Sequence, residues 1–119
     1  MCEPILIKTK EELNKLFKQH NEESEKYVLI QFSAKWCGPC KRIINEFMKN
    51  PTWITKYNGK LLWCLIDIDM LADNKELSNS LPEISSVPTF YLMKGYQSVG
   101  VIKGANENQI YKLIDTNVV

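Results

Sequence analysis

Two long apolar runs on either side of a helical pattern constrain the fold of this chain more than any other feature. The segments YVLIQFSA (27–34) and KLLWCLIDID (60–69) are typical of strands buried on both faces of a sheet. Between them, CGPCKRIINEFMKN (37–50) has its apolar residues at helical spacing. Strand and helix therefore alternate, which predicts an α/β fold built on a central sheet.

Weaker patterns along the rest of the chain extend this alternation. A first helix is predicted over 9–20, where Thr9 and Glu12 are spaced as a capping box. The other predicted elements are an edge strand at 3–9, a helix at 73–81, a hairpin of strands at 88–94 and 97–104, and a last helix at 106–118 that Asn106 would cap. The order (β)αβαβαββα predicts a mixed sheet in one domain, residues 1–119, which is long enough to need no disulfide or metal staple.

The charge balance argues against several classes of partner. The net charge is +1, so nothing favours binding to nucleic acid or to an anionic membrane surface. No apolar run approaches the roughly 20 residues of a membrane span, and the opening MCEPILIKTK lacks the basic-then-apolar layout of a secretory signal. We expect a monomer in the cytoplasm, or in an organelle if a targeting segment has been removed.

Cys37 and Cys40 are the one close pair among the four cysteines. Cys37 falls where the strand ends and the helix begins, and Pro39 suits the first helical turn because its missing N–H would have no helical partner there. Cys40 lies on the apolar stripe, which predicts a buried Cys40 and a Cys37 exposed at the helix N-terminus. The unpaired N–H groups and the positive dipole end favour a thiolate at Cys37, and Lys35 and Lys41 add weakly to this effect. Since a thiolate is the species that attacks disulfides, Cys37 is predicted to attack and Cys40 to resolve.

Other sulfur-bearing and polar residues have simpler interpretations. A C-x-x-C pair can be half of a zinc site, but His20, Cys2 and Cys64 lack the paired spacing that four zinc ligands need. Cys64 is interpreted as a buried small hydrophobe and Cys2 as an incidental thiol. The remaining interpretations are also structural: His20 as a helix-end residue, Trp53 and Trp63 as packing residues, and Asp67 and Asp69 as polar residues on one side of a strand end.

Four motifs, in order along nearly the whole chain, resemble those of the thioredoxin family. They are WCGPC (36–40), IDID (66–69), VPTF (87–90) and VGVIKGAN (99–106). The resemblance implies a thioredoxin fold, in which a central mixed β-sheet is flanked by helices on both faces. It also implies that Trp36, Gly38 and Pro39 form the active-site motif together with the two cysteines.

The same resemblance implies where a substrate would bind. Val87 and Pro88 would pack against the cysteines, and a cis bond between them would present the Val87 backbone to a substrate peptide as an added strand. Gly104 and Ala105 would form part of a docking rim beside it.

Two polar features depart from the family. Thioredoxins usually carry a buried aspartate at the position of Gln31, where it assists proton transfer at the second cysteine. Gln31 can hydrogen-bond but cannot act as a base. The lysine that often pairs with that aspartate corresponds to Leu65, so both charges are absent together, as the cost of a lone buried charge would require. We expect a competent reductase that is slower or pH-shifted, with Gln31 and Lys41 tuning the thiols.

The helix that carries the cysteines departs from the family as well. A proline that usually kinks it corresponds to Asn45, and a proline comes later, at Pro51. The helix is therefore expected either to be straighter or to end near Asn50 and restart.

The predicted function is protein dithiol–disulfide oxidoreductase activity through a redox-active Cys37–Cys40 disulfide, with no bound cofactor or metal. The resemblance implies disulfide-containing client proteins and electron transport from an NADPH-dependent thioredoxin reductase, as part of cell redox homeostasis. The alternative is a thioredoxin-like adaptor or narrow-client redox protein, which Gln31 mildly favours. A disulfide isomerase is a third possibility, but such proteins favour a histidine between the cysteines, so Gly38 and Pro39 favour a reducing protein.

Overall fold

A computed structural model describes residues 3–20 and 26–118, so Cys2 lies outside the described residues. The strands in this part of the chain are β1 (Ile5–Leu6), β2 (Tyr27–Ser33), β3 (Leu61–Asp67), β4 (Thr89–Lys94) and β5 (Gln97–Lys103). The helices are α1 (Lys10–Gln19), α2 (Gly38–Lys49), α3 (Thr52–Thr55), α4 (Ile68–Leu71), α5 (Lys75–Asn79) and α6 (Glu107–Asn117).

The strands form one mixed sheet in the order β1-β3-β2-β4-β5. β1 and β2 each pair in parallel with β3, whereas β4 runs antiparallel to both β2 and β5. The central strand β2 is buried at every position after Tyr27, as expected for a strand covered on both faces. The structure thus confirms the predicted α/β fold with a central mixed sheet.

Alternate residues of β2 point into two separate cores. Val28, Ile30 and Phe32 belong to a cluster that includes the buried face of α1. Leu29 belongs to a cluster that includes Ile43 and Phe47 of α2 and the buried residues of α6. Gln31 lies two residues after Leu29, so its side chain is on the face of the sheet that α2 covers.

The predicted helix starts agree with the hydrogen bonds observed there. The N–H of Glu12 donates to Thr9 Oγ1 at 3.1 Å, and the N–H of Gln109 donates to Asn106 Oδ1 at 3.1 Å. Both caps satisfy N–H groups that have no partner inside the helix. The Glu12 carboxylate accepts the N–H of Lys8 at 3.1 Å, which completes a reciprocal arrangement of the capping-box type.

The end of β3 differs from the prediction. The strand ends at Asp67, whose carboxylate accepts the N–H of Asp69 at 2.9 Å and begins α4. Asp67 and Asp69 therefore do not lie on one side of a strand, and that expectation is wrong. A short polar side chain that bonds the backbone two residues on favours a turn over continued strand.

The helix with the cysteines ends and restarts, as one of the two sequence interpretations predicted. α2 ends at Lys49, and the Asn50 side chain then accepts the N–H of Thr52 at 3.0 Å as α3 begins. The Asn50 amide and Trp53 Nε1 both donate to the hydroxyl of Tyr111, at 3.0 and 3.1 Å. Trp53 is buried, which confirms its interpretation as a packing residue.

Phe47 of α2 is the centre of an aromatic cluster, and we predict that removing its ring strongly destabilises the fold. Its side chain is fully buried and its ring lies 5.1–6.1 Å, centroid to centroid, from those of Trp53, Trp63, Phe90 and Tyr111. Phe47→Ala should lower the free energy of unfolding by about 3–5 kcal/mol, because burial is lost and a cavity remains. Urea unfolding followed by circular dichroism measures this change.

Ile54→Ala is the matched control, since Ile54 is an exposed large hydrophobic residue of α3. It should change the free energy of unfolding by no more than about 0.5 kcal/mol. Equal effects of the two substitutions would contradict the central role of Phe47.

Candidate active site

The Cys37–Cys40 pair lies at the start of α2 and is joined in a disulfide. Cys37 occupies the N-cap position, where its Sγ accepts the N–H of Cys40 at 3.2 Å. Its own N–H donates to the Ala34 carbonyl at 3.1 Å, and its carbonyl accepts the N–H of Lys41 at 3.2 Å. The sulfur therefore sits where the unpaired N–H groups and the positive end of the helix dipole favour a negative charge once the disulfide is reduced.

The burial of the pair corrects one expectation and confirms another. Cys40 is fully buried as predicted, but Cys37 is only 5% exposed, so the prediction of an exposed Cys37 is wrong for this disulfide-bonded state. Ala34, Val87 and Ile68 pack around the two sulfur-bearing residues. The pattern of α2 alone could not indicate this cover, because it comes from the segment before the helix, from the Val87 loop and from α4.

Trp36 forms one side of the site and remains 68% exposed. Its Nε1 donates to Asp69 Oδ2 at 3.1 Å, across 33 residues of sequence. Asp69 is therefore a partner of the active-site motif rather than only a polar residue at a strand end. Its place in IDID, directly after a buried strand, was the signal in the sequence, but the contact with Trp36 depends on the fold.

The Val87–Pro88 peptide bond is cis, as the family resemblance predicted. Val87 packs against the cysteine pair, and the Pro88 carbonyl accepts the N–H of Gly104 at 2.9 Å. Gly104 has φ +95°, a conformation that suits glycine. The predicted substrate-binding residues Val87, Pro88 and Gly104 are thus joined into one unit beside the disulfide.

Arg42 connects α2 to this unit and was missed as a site residue. Its Nη2 donates to the Ala105 carbonyl at 2.9 Å, and its Nη1 lies 3.6 Å from Glu107 Oε1. From the sequence, Arg42 belongs to the exposed face of α2, and nothing local indicates a contact with a residue 63 positions away. Through this hydrogen bond, the segment with Gly104 and Ala105 is fixed relative to the helix of the cysteines.

Gln31 is fully buried on the α2 face of the sheet. Its Oε1 accepts a hydrogen bond from Trp63 Nε1 at 3.1 Å, whereas its Nε2 has no hydrogen-bond partner in the described part of the chain. Leu65 is its neighbour in register on β3 and Phe90 its neighbour on β4. Trp63 is buried, as predicted for a packing residue, but sequence reasoning missed that its indole N–H orients Gln31.

A well-defined cleft lies beside the disulfide, and neither cysteine lines it. It has a volume of about 600 Å³ and is bounded by α2, the β1–β3 edge and the segment that follows β2. Leu65 lines this cleft, together with Lys35 and Lys41, both of which are exposed. At the position where the family often has a buried lysine, this chain therefore has the apolar side chain of Leu65. The positive charges nearby, on Lys35 and Lys41, are in contact with solvent.

Neither a metal centre nor a membrane span is found among residues 3–20 and 26–118. No group of three or more His, Cys, Asp or Glu residues there could hold a metal ion. No helix in the same ranges is long and apolar enough to cross a membrane. His20 Nδ1 lies 3.1 Å from the Leu16 carbonyl at the end of α1, which confirms His20 as a helix-end residue.

Comparison with known proteins places this geometry in a family. Residues 5–116 match the family model described as Thioredoxin. Thioredoxin H9 of Arabidopsis thaliana is 32% identical over 109 residues, covering 92% of this chain and 71% of that protein. A wild-type poplar thioredoxin h structure is 34% identical, with a TM-score of 0.78, and covers 96% of this chain and 95% of that one.

A further solved structure concerns the thiol-resolving mechanism of a yeast mitochondrial 1-Cys peroxiredoxin via glutathione/thioredoxin systems. It is 27% identical to this chain, with a TM-score of 0.73, and covers 95% of this chain and 94% of that one.

Cys64 differs from the active-site pair in its environment. It lies in β3, is fully buried and forms no disulfide. Burial disfavours the charged thiolate and raises the pKa of the Cys64 thiol to about 12. Its interpretation as a buried small hydrophobe is confirmed.

We predict that Cys64 resists alkylation in the folded, reduced protein while Cys37 reacts. After iodoacetamide treatment at mildly alkaline pH, peptide mass spectrometry should find Cys64 modified only when urea is present, because the reacting species is the thiolate. Equal labelling of Cys64 and Cys37 without urea would contradict this burial.

The same burial makes the stability of the fold depend on pH. An unfolded chain ionises its cysteines near pH 8.5, so above that pH it binds fewer protons than the folded one. The free energy of unfolding should therefore fall, through Cys64, as the pH rises from about 8.5 towards 12.

Proposed function

The chain belongs to the thioredoxin family and is a protein dithiol–disulfide oxidoreductase, and we propose that Cys37 is its attacking thiol and Cys40 its resolving thiol. One observation carries this assignment. The Cys37 sulfur caps α2 and accepts the Cys40 N–H at 3.2 Å, whereas Cys40 is completely enclosed. A capped sulfur at a helix N-terminus is the more stable thiolate, and the thiolate is the nucleophile.

The reaction follows in two exchanges. The Cys37 thiolate attacks one sulfur of a client disulfide, the client S–S bond breaks, and one client sulfur leaves as a thiolate. The Cys40 thiolate then attacks Cys37 Sγ, the bond between Cys37 and the client breaks, and the second client sulfur leaves. Two electrons pass from the dithiol to the client, and solvent supplies protons to the client thiolates. Because Cys37 and Cys40 are three residues apart within one helix start, the second exchange needs no rearrangement of the fold.

We further propose that the client peptide binds along Val87, Pro88, Gly104 and Ala105. In the described part of the chain, the N–H and carbonyl of Val87 take part in no backbone hydrogen bond, so they are available to an added strand. Val87 contacts the cysteine pair, which would bring a peptide held there next to the reactive sulfur. Trp36, with its exposed ring, bounds the other side of the site.

The proposed clients are proteins with accessible disulfides, and the proposed electron donor is an NADPH-dependent thioredoxin reductase. The solved structure that concerns a 1-Cys peroxiredoxin supports including thiol peroxidases among the clients to test. We propose that the chain works as a single monomeric domain in the cytoplasm, or in an organelle with a reducing interior. A reducing compartment suits a site that must cycle between dithiol and disulfide.

The second candidate function is a narrow-client redox protein or adaptor with weak general reductase activity. One observation favours it: the fully buried residue at the position where thioredoxins usually carry an aspartate is Gln31, which cannot ionise. Without a base at that position, the resolving step depends on the ionisation of Cys40 itself.

We predict that insulin disulfide reduction driven by dithiothreitol is accelerated by the native protein and falls to the dithiothreitol rate in Cys37→Ser. Reduced Cys40→Ser, mixed with insulin after dithiothreitol has been removed, should stop after the first exchange and accumulate a mixed disulfide on Cys37, which intact-protein mass spectrometry detects. Cys64→Ala is the control, since it removes a buried thiol outside the site and should keep the native rate. If the native protein is no faster than dithiothreitol alone, the adaptor function replaces the reductase.

We predict that Ala105→Asp raises the KM for insulin several-fold while leaving the reduction of a small disulfide, such as cystamine, unchanged. An added carboxylate would obstruct a peptide on the docking rim but not a small molecule at the sulfur. The backbone carbonyl that accepts the Arg42 hydrogen bond is retained. Asn79→Asp makes the same charge change on α5, which is packed against the other face of the sheet, and should alter neither reaction. Equal loss with both disulfides would argue against a rim that binds peptide.

A further inference from the structure

We propose that the Gln31 side-chain amide donates a hydrogen bond to the Cys40 thiolate in the reduced protein and thereby increases the fraction of Cys40 that is ionised. This inference rests on the proposed function, in which Cys40 is the resolving thiol. It gives Gln31 a role of its own in the second exchange, in place of the proton transfer that a carboxylate would perform.

The orientation of the Gln31 amide is fixed by its partner. An indole N–H can only donate a hydrogen bond, so the atom of Gln31 that lies 3.1 Å from Trp63 Nε1 must be the oxygen. The NH₂ group therefore points away from Trp63. It is buried and has no partner in the described part of the chain while Cys37 and Cys40 form a disulfide. A buried donor without a partner is uncommon and costly, which raises the question of what it meets in the other redox state.

Sheet register and helix position together bring Gln31 towards Cys40. Leu29 shares its face of β2 with Gln31 and belongs to the same core as Ile43 and Phe47 of α2. Gln31 is two residues nearer the end of β2 from which the chain enters α2. This register places Gln31 on the part of the sheet that lies towards the start of α2, where Cys40 is the buried residue of the first turn.

The acceptor strength of Cys40 depends on the redox state. A disulfide sulfur is a weak acceptor, so the amide gains little from it in the oxidised protein. A thiolate carries a full charge, and hydrogen bonds to charged groups are markedly stronger than neutral ones. The donor that is unpaired in the disulfide state thus has a partner once the disulfide is reduced.

The other titratable and charged groups of the surrounding elements lie at the edge of the site. Lys35 and Lys41 are exposed, and Asp67 of β3 is half-buried and caps α4. Asp69 of α4 is bonded to Trp36. In the described part of the chain, the cluster around Cys40 consists of Cys37, Ala34, Ile68 and Val87, of which Cys37 is the titratable member.

A donor and a base produce different chemistry in the resolving step. Gln31 keeps both of its amide protons, so the Cys40 thiol loses its proton to solvent before its thiolate attacks Cys37 Sγ. The Cys37–client bond then breaks, and the client thiolate takes a proton from solvent. An amide donor lowers the pKa of Cys40, whereas a carboxylate at the same place would raise it by like-charge repulsion.

The test measures the ionisation of Cys40 directly. In a Cys2→Ser/Cys37→Ser background, ultraviolet thiolate absorbance between about pH 5 and pH 9 reports Cys40, because buried Cys64 stays neutral over that range and tyrosines ionise only at about pH 10. Gln31→Met keeps the length of the side chain and removes the donor. We expect it to reduce the Cys40 thiolate fraction at neutral pH about tenfold or more, as the loss of a hydrogen bond to a charged group implies.

Trp53→Phe is the matched control for this measurement. It removes an indole hydrogen bond from the same core without touching Gln31, and it should leave the Cys40 ionisation unchanged. If Gln31→Met and Trp53→Phe shift the Cys40 titration equally, the effect is loosened packing and the inference is overturned.

A second measurement uses the native sequence and does not depend on how a variant folds. The ¹⁵N and ¹H resonances of the Gln31 side-chain amide should move on reduction and titrate with the ionisation of Cys40. Resonances that are the same in the oxidised and reduced protein would overturn the inference.

Insulin reduction by the native protein is assayed in parallel. If the native protein reduces insulin but the Cys40 titration of Gln31→Met is unchanged, this inference alone is rejected. If the native protein does not reduce insulin, the proposed function is rejected.

Discussion

The capping of α2 by the Cys37 sulfur is the interaction on which the rest of the site depends. A helix start leaves N–H groups without partners, and here the sulfur of Cys37 accepts one of them at 3.2 Å. The same contact that begins the helix therefore makes its capping atom acidic once reduced. Because β2 is buried on both faces and ends just before α2, the cores on either side of the sheet fix where that sulfur lies.

The surroundings of the sulfur are assembled from distant parts of the chain. Arg42 of α2 bonds the Ala105 carbonyl, and the Pro88 carbonyl accepts the Gly104 N–H, so the helix, the cis-proline loop and the turn after β5 are held together. Trp36 is held on the opposite side by Asp69. These bonds explain how a nucleophile can be nearly covered in the disulfide state and still lie beside an exposed surface that suits a peptide strand.

Local signals in the sequence predicted the architecture and the position of the cysteines, but not their surroundings. Thr9 and Asn106 were correctly predicted as helix caps, because the cap and its N–H donor lie within one turn. The stripe on α2 correctly predicted a buried Cys40. The cover over Cys37 and the Arg42–Ala105 bond were not predictable, because both depend on segments that only the fold brings together. The cis state of Val87–Pro88 came from family resemblance, since a strand-start proline has the same local sequence.

Gln31 and Leu65 are both uncharged, and the free-energy cost of burying an unpaired ion explains why the two occur together. With Leu65 in place of a cation, a carboxylate at position 31 would be buried without a partner, whereas an amide leaves only one donor unsatisfied. In the proposed arrangement that remaining donor is unpaired in the disulfide state and is paired with the Cys40 thiolate in the reduced state, so its free energy differs between the two redox states. The difference favours the reduced dithiol, and it does so only at pH values where Cys40 is ionised. A single neutral side chain thereby couples the redox equilibrium to pH without exchanging a proton itself.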